Sequence, residues 1–320
     1  MMRMRRRHLL LTGLMLPAAA LPGASRAQTQ DWNRWLDGVR TQARSEGVGR
    51  AGLAALDGLR PNDRVIANDR RQAESTLTWE AYRGRTVSES RIRNGRQALA
   101  ENAATFQAIA QRYSVQPRFI AAIWGMETAY GFVRGDFPVV ESVATLAWEG
   151  RRAAYFRTEL MAALKILDRG YIEPQRFKGS WAGAMGQPQF MPSNVLTLAV
   201  DFDGDGRRDI WESRPDVFAS IANYLERRGN WRANEGWGQQ VQANGAGLSE
   251  SFRATRPIAD WRRAGVRTLS GVALAEGPPA ALIRSGEETF LVSHNHTAFR
   301  AYNNSTFYAL ACGLLGDAIG

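Results

Sequence analysis

Residues Pro117 to Gly131 read PRFIAAIWGMETAYG. Pro117 suits the first turn of a helix and Gly131 suits its end. Between them Phe119, Ile120, Ile123 and Trp124 recur at helical spacing, which gives the helix an apolar face. Glu127 falls three and four residues after Trp124 and Ile123, so it continues that stripe. A carboxylate aimed into an aromatic-lined place is costly to ionise, and its pKa should rise. That is what a carboxylic acid needs in order to donate a proton near neutral pH. From this helix alone, the plainer alternative is a Glu that bends to solvent or pairs with an Arg.

The surroundings bear on that choice. A chain of 320 residues, 44% of them hydrophobic, can bury one large domain or two smaller ones. The first 27 residues have an Arg-rich start, a short apolar run from Leu9 to Leu21 and small residues ending at Ala27. That is the pattern of a signal peptide cleaved after Ala27, with a run too short to span a membrane comfortably. Arg6-Arg7 leaves both Sec and Tat export open. Removing this leader takes away five Arg and no acids, so the net charge falls from +10 to +5. A mildly basic product argues against nucleic-acid binding and suits an anionic wall polymer. Cys312 is the only Cys, and of the three His one lies in the leader. Disulfides, cysteine clusters and a His-based zinc site are therefore not expected.

The N-terminal part has helical spacing over Asp31–Leu59 and Val87–Arg112, with a polar stretch at 64–75 and a short aromatic segment from Leu77 to Tyr82. After the Glu127 helix come a loop, a helix from Glu141, and another opening on Arg151-Arg152. A basic pair at a helix start opposes the helix dipole, so either a ligand or a solvated face must account for it. Phe177–Ser193, FKGSWAGAMGQPQFMPS, has loop composition, and its Gly residues allow close backbone approach to a ligand. A helix follows over Pro215–Arg228. Short β-like runs at Gly238–Ala243, Val266–Ala273 and Thr289–Val292 predict a small β subdomain. Phe299–Leu315 returns to a helix.

Asp201–Glu212 reads DFDGDGRRDIWE. Acids at loop positions 1, 3, 5, 9 and 12, with Gly206 at 6, match the calcium loop of an EF-hand. Asp201, Asp203, Asp205 and Glu212 would ligate through carboxylates and Arg207 through its backbone carbonyl. Arg208 departs from the usual apolar position 8. In an exported chain without disulfides, a structural Ca²⁺ is the natural role, and no catalytic cofactor is expected.

GMETAYG, EGRRAAYF, GSWAGAMGQPQFMPS, VDFDGDGRRDIW, SIANYL and RAYNNSTFYALA, in that order, resemble the lytic murein transglycosylase B family. The resemblance runs from about Trp79 to Leu315. It implies an α+β, mainly α fold: a lysozyme-like catalytic core with an additional helical domain and a small inserted β subdomain. The segments would be a signal peptide at 1–27, an N-terminal helical domain at 28–115 and a catalytic core at 116–235 containing the EF-hand-like loop 201–212. A β subdomain at 236–296 and a C-terminal helix at 297–320 that returns to the core would follow. It also implies cleavage of the β-1,4 bond between N-acetylmuramic acid and N-acetylglucosamine in peptidoglycan, with formation of 1,6-anhydromuramic ends. Glu127 would be the single acid and base. Carried over residue by residue, Tyr82, Arg151, Arg152, Ser180, Gln189, Tyr224, Tyr302, Asn303 and Tyr308 would line the glycan cleft. Asp216 matches a later calcium ligand of the family, which leaves open whether Glu212 or Asp216 closes the ion site. With no lipid-attachment Cys, the chain is expected to be a soluble periplasmic monomer without a membrane anchor. Its partner would be the glycan strand, with protein partners unspecified.

Two other readings compete. A muramidase that hydrolyses with water needs a second carboxylate, and Asp136 or Glu141 would supply it. A non-catalytic wall-binding protein would keep the fold, but a retired Glu127 on an apolar stripe would cost stability.

Overall fold

The computed structural model describes residues 22–74, 77–149 and 151–320. Most of the expected leader, residues 1–21, lies outside the described residues. The first helix, α1 (Pro22–Ser45), is followed by α2 (Arg50–Ala54) and α3 (Asp63–Glu74). The polar stretch, which suited either a loop or a peripheral helix, is helical through Glu74, with Val65 and Asp69 turned inward and buried. Next come α4 (Trp79–Thr86), α5 (Glu89–Glu101), α6 (Ala103–Tyr113) and α7 (Pro117–Thr128), which carries Glu127. Thr78 caps α4 by accepting from the Ala81 amide, and Ser88 caps α5 by accepting from Arg91. The periodic run 87–112 is two helices, broken at Asn102, whose side chain bonds back to the Ala98 carbonyl.

Strand β1 (Phe137–Pro138) precedes α8 (Val139–Glu149) and α9 (Ala153–Asp168). It pairs with β2 (Lys178–Gly179) at the start of the Gly-rich segment. Helices α10 (Pro192–Leu198) and α11 (Arg214–Arg227) flank the acidic loop. The β subdomain contains β3 (Gly238–Gln242), α12 (Ile258–Arg263), β4 (Arg267–Thr268), β5 (Ala281–Ser285) and β6 (Glu288–Val292). Its strands form an antiparallel sheet in the order β4-β3-β6-β5. The expected strand at 266–273 shrinks to two residues, and β5 was not anticipated. The C-terminal helix is likewise divided into α13 (His294–Tyr302) and α14 (Thr306–Ile319). Ser305 caps α14 by accepting from the Tyr308 amide, so Tyr308 stands in its first turn.

Among the described residues, three apolar cores result. One gathers α5, α6, α7, α11 and α14, with Phe119, Trp124, Phe218 and Phe299 at its centre. A second joins α1–α3 to α8–α10 around Trp32, Phe156 and Phe190. The third lies within the β subdomain around Trp261 and Leu282. α14 packs directly on α7. A Cβ at Gly316 would lie 2.5 Å from the Phe119 ring, so the missing side chain permits this close approach. That contact brings the start of α14 to the end of α7.

Candidate active site

Helix α7 ends abruptly. Ala129, Tyr130 and Gly131 all have positive φ, at 49°, 63° and 90°. Left-handed non-glycine residues are uncommon, and two in succession are held only where their surroundings over-determine them. Here Tyr130 folds back beneath the helix. Its ring lies against Gly125, where a Cβ would meet the Tyr130 ring at 2.5 Å, and its hydroxyl donates to the Arg91 carbonyl at 2.9 Å. The side chain of Thr128 donates to the Gln187 carbonyl and accepts from the Gly131 amide. Glu127 is thus set on a rigid helix end.

Glu127 is half-buried, and the Tyr308 hydroxyl donates to its Oε1 at 2.6 Å. Burial pushes the Glu127 pKa up to about 7, against the smaller opposing effect of the Tyr308 hydrogen bond. No neighbouring carboxylate contributes to the rise. Asp136 is exposed in the loop after α7, and the Glu141 side chain accepts a hydrogen bond from Asn62. Burial keeps the Tyr308 phenol well above its ordinary pKa, so it remains a donor.

Tyrosines extend from this pair. The Tyr302 ring stacks on Tyr308 with 6.4 Å between centroids and planes 8° apart. Tyr302 donates to the Pro188 carbonyl at 2.6 Å, which ties the C-terminal segment to the Gly-rich loop. Tyr224 lies 4.6 Å from Tyr302 and donates to the Ala301 carbonyl. Tyr82 packs on Phe307, and its phenol pKa is raised by burial and by the charge of neighbours that include Glu127. Glu127, Tyr82, Tyr224, Tyr302 and Tyr308 therefore form one aromatic-walled group. Asn303 is exposed in the break between α13 and α14.

The other expected cleft residues are placed differently. Gln189, itself left-handed at φ 50°, donates to the Gly186 and Arg134 carbonyls, and Ser180 accepts from the Ala184 amide. Both brace the Gly-rich loop. Arg151 and Arg152 grip the buried Asp69 of α3 at 2.8 and 3.0 Å, while their side chains remain about half exposed. Asp69 accounts for a basic pair at the start of a helix.

Gln187, a polar group of the Gly-rich segment, is not among the cleft residues that the sequence assigns. It is buried, accepts from the Trp124 indole at 2.9 Å and donates to the Trp211 carbonyl at 2.8 Å. It thereby joins the Glu127 helix to the acidic loop. The solitary Cys312 also lies close to this group. It stands one turn after Tyr308 on α14, is fully buried, and its thiol pKa is pushed up by burial. The spacing of four between Tyr308 and Cys312 was the available signal.

In the acidic loop, carboxylate oxygens of Asp201, Asp203 and Asp205 come within 4.8 Å of one another. Backbone amides hold them. Gly204 and Gly206 donate to Asp201, and Arg207 donates to Asp205. An all-oxygen donor set this compact fits a hard cation such as Ca²⁺. Glu212 departs from its expected place at position 12. Its Oε1 accepts from both Arg134 and Arg176 at 2.9 Å. Asp216 is fully buried and accepts from the Phe202 and Asp209 amides at 2.7 and 2.8 Å. Its pKa is raised to about 6, chiefly by burial and also by the charge of Asp203.

Residues 31–317 match the family described as Transglycosylase SLT domain. The chain is 33% identical over 248 residues to the membrane-bound lytic murein transglycosylase B of Escherichia coli, covering 75% of this chain and 67% of that protein. Its structure resembles that of SltB3 from Pseudomonas aeruginosa in complex with NAG-anhNAM-pentapeptide, with a TM-score of 0.85 and 40% identity, covering 90% of this chain and 79% of the other. It also resembles the lytic transglycosylase Slt35 of Escherichia coli in complex with calcium, with a TM-score of 0.76 and 29% identity over 90% and 92% of the two chains.

Proposed function

The chain belongs to the SLT-domain transglycosylase family, enzymes that act on peptidoglycan, and from that premise we propose that Glu127 alone serves as its acid and base. The chain is a lytic transglycosylase with a lysozyme-like fold. It cleaves the β-1,4 bond between N-acetylmuramic acid and N-acetylglucosamine and leaves 1,6-anhydromuramic ends. The observation that carries the proposal is the isolated, half-buried carboxyl of Glu127, bonded to Tyr308 and with its pKa raised to about 7.

The chemistry follows from that arrangement. Because Oε1 accepts from Tyr308, the acidic proton resides on Oε2, which is left for the glycosidic oxygen. Protonation of that oxygen releases the leaving sugar. The substrate's own 2-acetamido group can stabilise the electron-poor anomeric carbon, so a second carboxylate is not needed, unlike in most glycoside hydrolases. Glu127, now ionised and still held by Tyr308, takes the proton from the C6 hydroxyl as the anhydro ring closes. A pKa close to the working pH allows one group to do both. Tyr82, Tyr224, Tyr302 and Asn303 supply sugar-facing surface, and the Gly-rich loop with Ser180 and Gln189 forms a wall of the cleft. Arg151 and Arg152 add positive charge at its end.

Asp201, Asp203 and Asp205 would hold a structural Ca²⁺, with the Arg207 carbonyl, and Asp216 would close the loop from below. The ion would relieve repulsion within the loop and stiffen the segment that Gln187 ties to α7. The Arg-rich leader supports export to the periplasm, and among the described residues no helix is long and apolar enough to cross a membrane. The test of the reaction is the mass of the products released from purified peptidoglycan. Muropeptides one water lighter than hydrolytic ones, absent with Glu127→Gln, are expected. Normal-mass reducing ends would identify a muramidase instead.

A further inference from the structure

A cavity of about 490 Å³ lies where the β subdomain meets the start of α13. Its wall includes Arg232, Phe252, Arg253, Ser293, His294 and Thr297, and no acidic side chain lines it. Arg232 shares its charge with Glu235 at 3.6 Å, but Arg253 has no acidic partner among the described residues. The Arg253 guanidinium is held over the Phe252 ring at 5.4 Å, and Arg300 packs on the same ring at 4.3 Å. Burial and the nearby Arg253 both lower the Arg300 pKa, so the two cations strain against each other. His296, fully buried with neither ring nitrogen hydrogen-bonded, meets the Phe252 ring at 5.7 Å. The N-terminus of α13 opens here as well. Ser293, its N-cap, makes no side-chain cap because its hydroxyl donates to the Gly236 carbonyl. The first turn of α13 therefore has no side-chain cap, and Ser293 and His294 bring its positive dipole end to the cavity wall.

The geometry points to a binding site for a carboxylate-ended peptide in this cavity, with the carboxylate between Arg253 and the α13 N-terminus. The volume exceeds what a bare oxyanion needs, and Phe252, Thr255 and Thr297 offer apolar and hydroxyl contacts for the chain behind the charged end. The other end of α13 is Tyr302, in the aromatic group around Glu127. Nine helical residues separate the two ends by about 12 Å, a distance that about four extended peptide residues cover. A stem peptide on a sugar bound in the cleft is thus the source within reach. This assignment rests on peptidoglycan being the substrate.

The test is calorimetric titration of the full chain, carrying Glu127→Gln so that nothing turns over. The probes are a sugar-free stem tetrapeptide with a free C-terminal carboxylate, its C-terminal amide, and inorganic phosphate. The free acid should bind, the amide should bind at least about tenfold more weakly, and Arg253→Gln should weaken the acid by a similar factor, as expected for loss of a charge-assisted hydrogen bond. Arg232→Gln, with an unchanged melting temperature, serves as a second variant and should give a smaller loss, since Glu235 already shares its charge. Absence of peptide binding, or binding indifferent to Arg253→Gln, overturns the site. Phosphate binding as tightly as the peptide acid would reduce it to a small-anion site and overturn the peptide assignment. The readout is binding without turnover, so it stands or falls separately from the product-mass test.

Discussion

Tyr308 and Glu127, 181 residues apart in the chain, share a 2.6 Å hydrogen bond in which the phenol donates to Oε1. The donor favours the carboxylate, whereas the buried surroundings favour the acid, and burial wins. Replacing Tyr308 by Phe removes the only opposing influence. The Glu127 pKa should then rise by about one unit or more, since hydrogen bonds to charged groups contribute about 1.5–3 kcal/mol. The alkaline limb of the pH–rate profile should move upward by that amount. At pH 7 kcat should fall about ten- to hundredfold, because proton abstraction from C6 loses its stabilised carboxylate. An unmoved alkaline limb would mean that Tyr308 only packs.

In the wild type the first step needs Glu127 protonated. With a pKa of about 7, kcat/KM should be level on the acid side and decline above pH 7 in the free enzyme's profile. A decline centred near 4.5, the ordinary value for Glu, would show that burial does not tune this group.

The same pKa has a consequence for stability, and its sign is definite. A carboxyl whose pKa is raised on folding binds its proton more tightly in the native state. Its favourable contribution is complete below the unfolded pKa of 4.5 and is lost as pH rises through about 7. Glu127→Gln should therefore gain stability relative to the wild type between pH 5 and pH 8, by up to about 3 kcal/mol. Urea melts of both proteins at the two pH values measure the difference.

Chelation addresses the acidic loop. If Asp201, Asp203 and Asp205 hold Ca²⁺, excess chelator should lower the melting temperature by several degrees, and added Ca²⁺ should restore it in proportion to the logarithm of its concentration. Asp203→Asn should abolish that response. Glu212→Gln should largely retain it, because Glu212 serves Arg134 and Arg176.

Gly125→Ala tests the turn that sets Glu127. The new methyl group would lie 2.5 Å from the Tyr130 ring. Overpacking of this kind typically costs about 1–3 kcal/mol. Thermal melts should show that loss, and activity should fall further than the loss of folded protein accounts for, because the Tyr130 anchor fixes the helix end.

Much of this was legible in local pattern. The apolar stripe on α7 gave both the helix and the inward aim of Glu127, since a period of 3.6 fixes which residues share a face. The acidic loop was legible because its chemistry lies within twelve consecutive residues. What could not be read depended on contacts across the chain. Glu212 has the right spacing for a calcium ligand, yet Arg134 and Arg176 draw it away, and nothing at position 212 announces them. The pair Arg151-Arg152 likewise answers to Asp69, more than eighty residues upstream. Asn102 and the segment Asn303–Ser305 split helices that hydrophobic periodicity runs together. In both places a side chain or cap makes local bonds that compete with helix continuation, which periodicity does not register.

The span between Glu127 and Tyr308 has a consequence for how the protein comes into being. A polypeptide is made from its N-terminus, so α7 and its acid exist long before α14 does. Until α14 docks against Phe119 through Gly316, the carboxyl lacks its phenol and much of the wall that withholds it from water. Its pKa should then sit near that of any exposed Glu, and it is a poor acid at neutral pH. A chain clipped before α14 would therefore keep Glu127 but lose the acid that works near neutral pH. Competence depends on the two distant ends of the catalytic unit closing on each other.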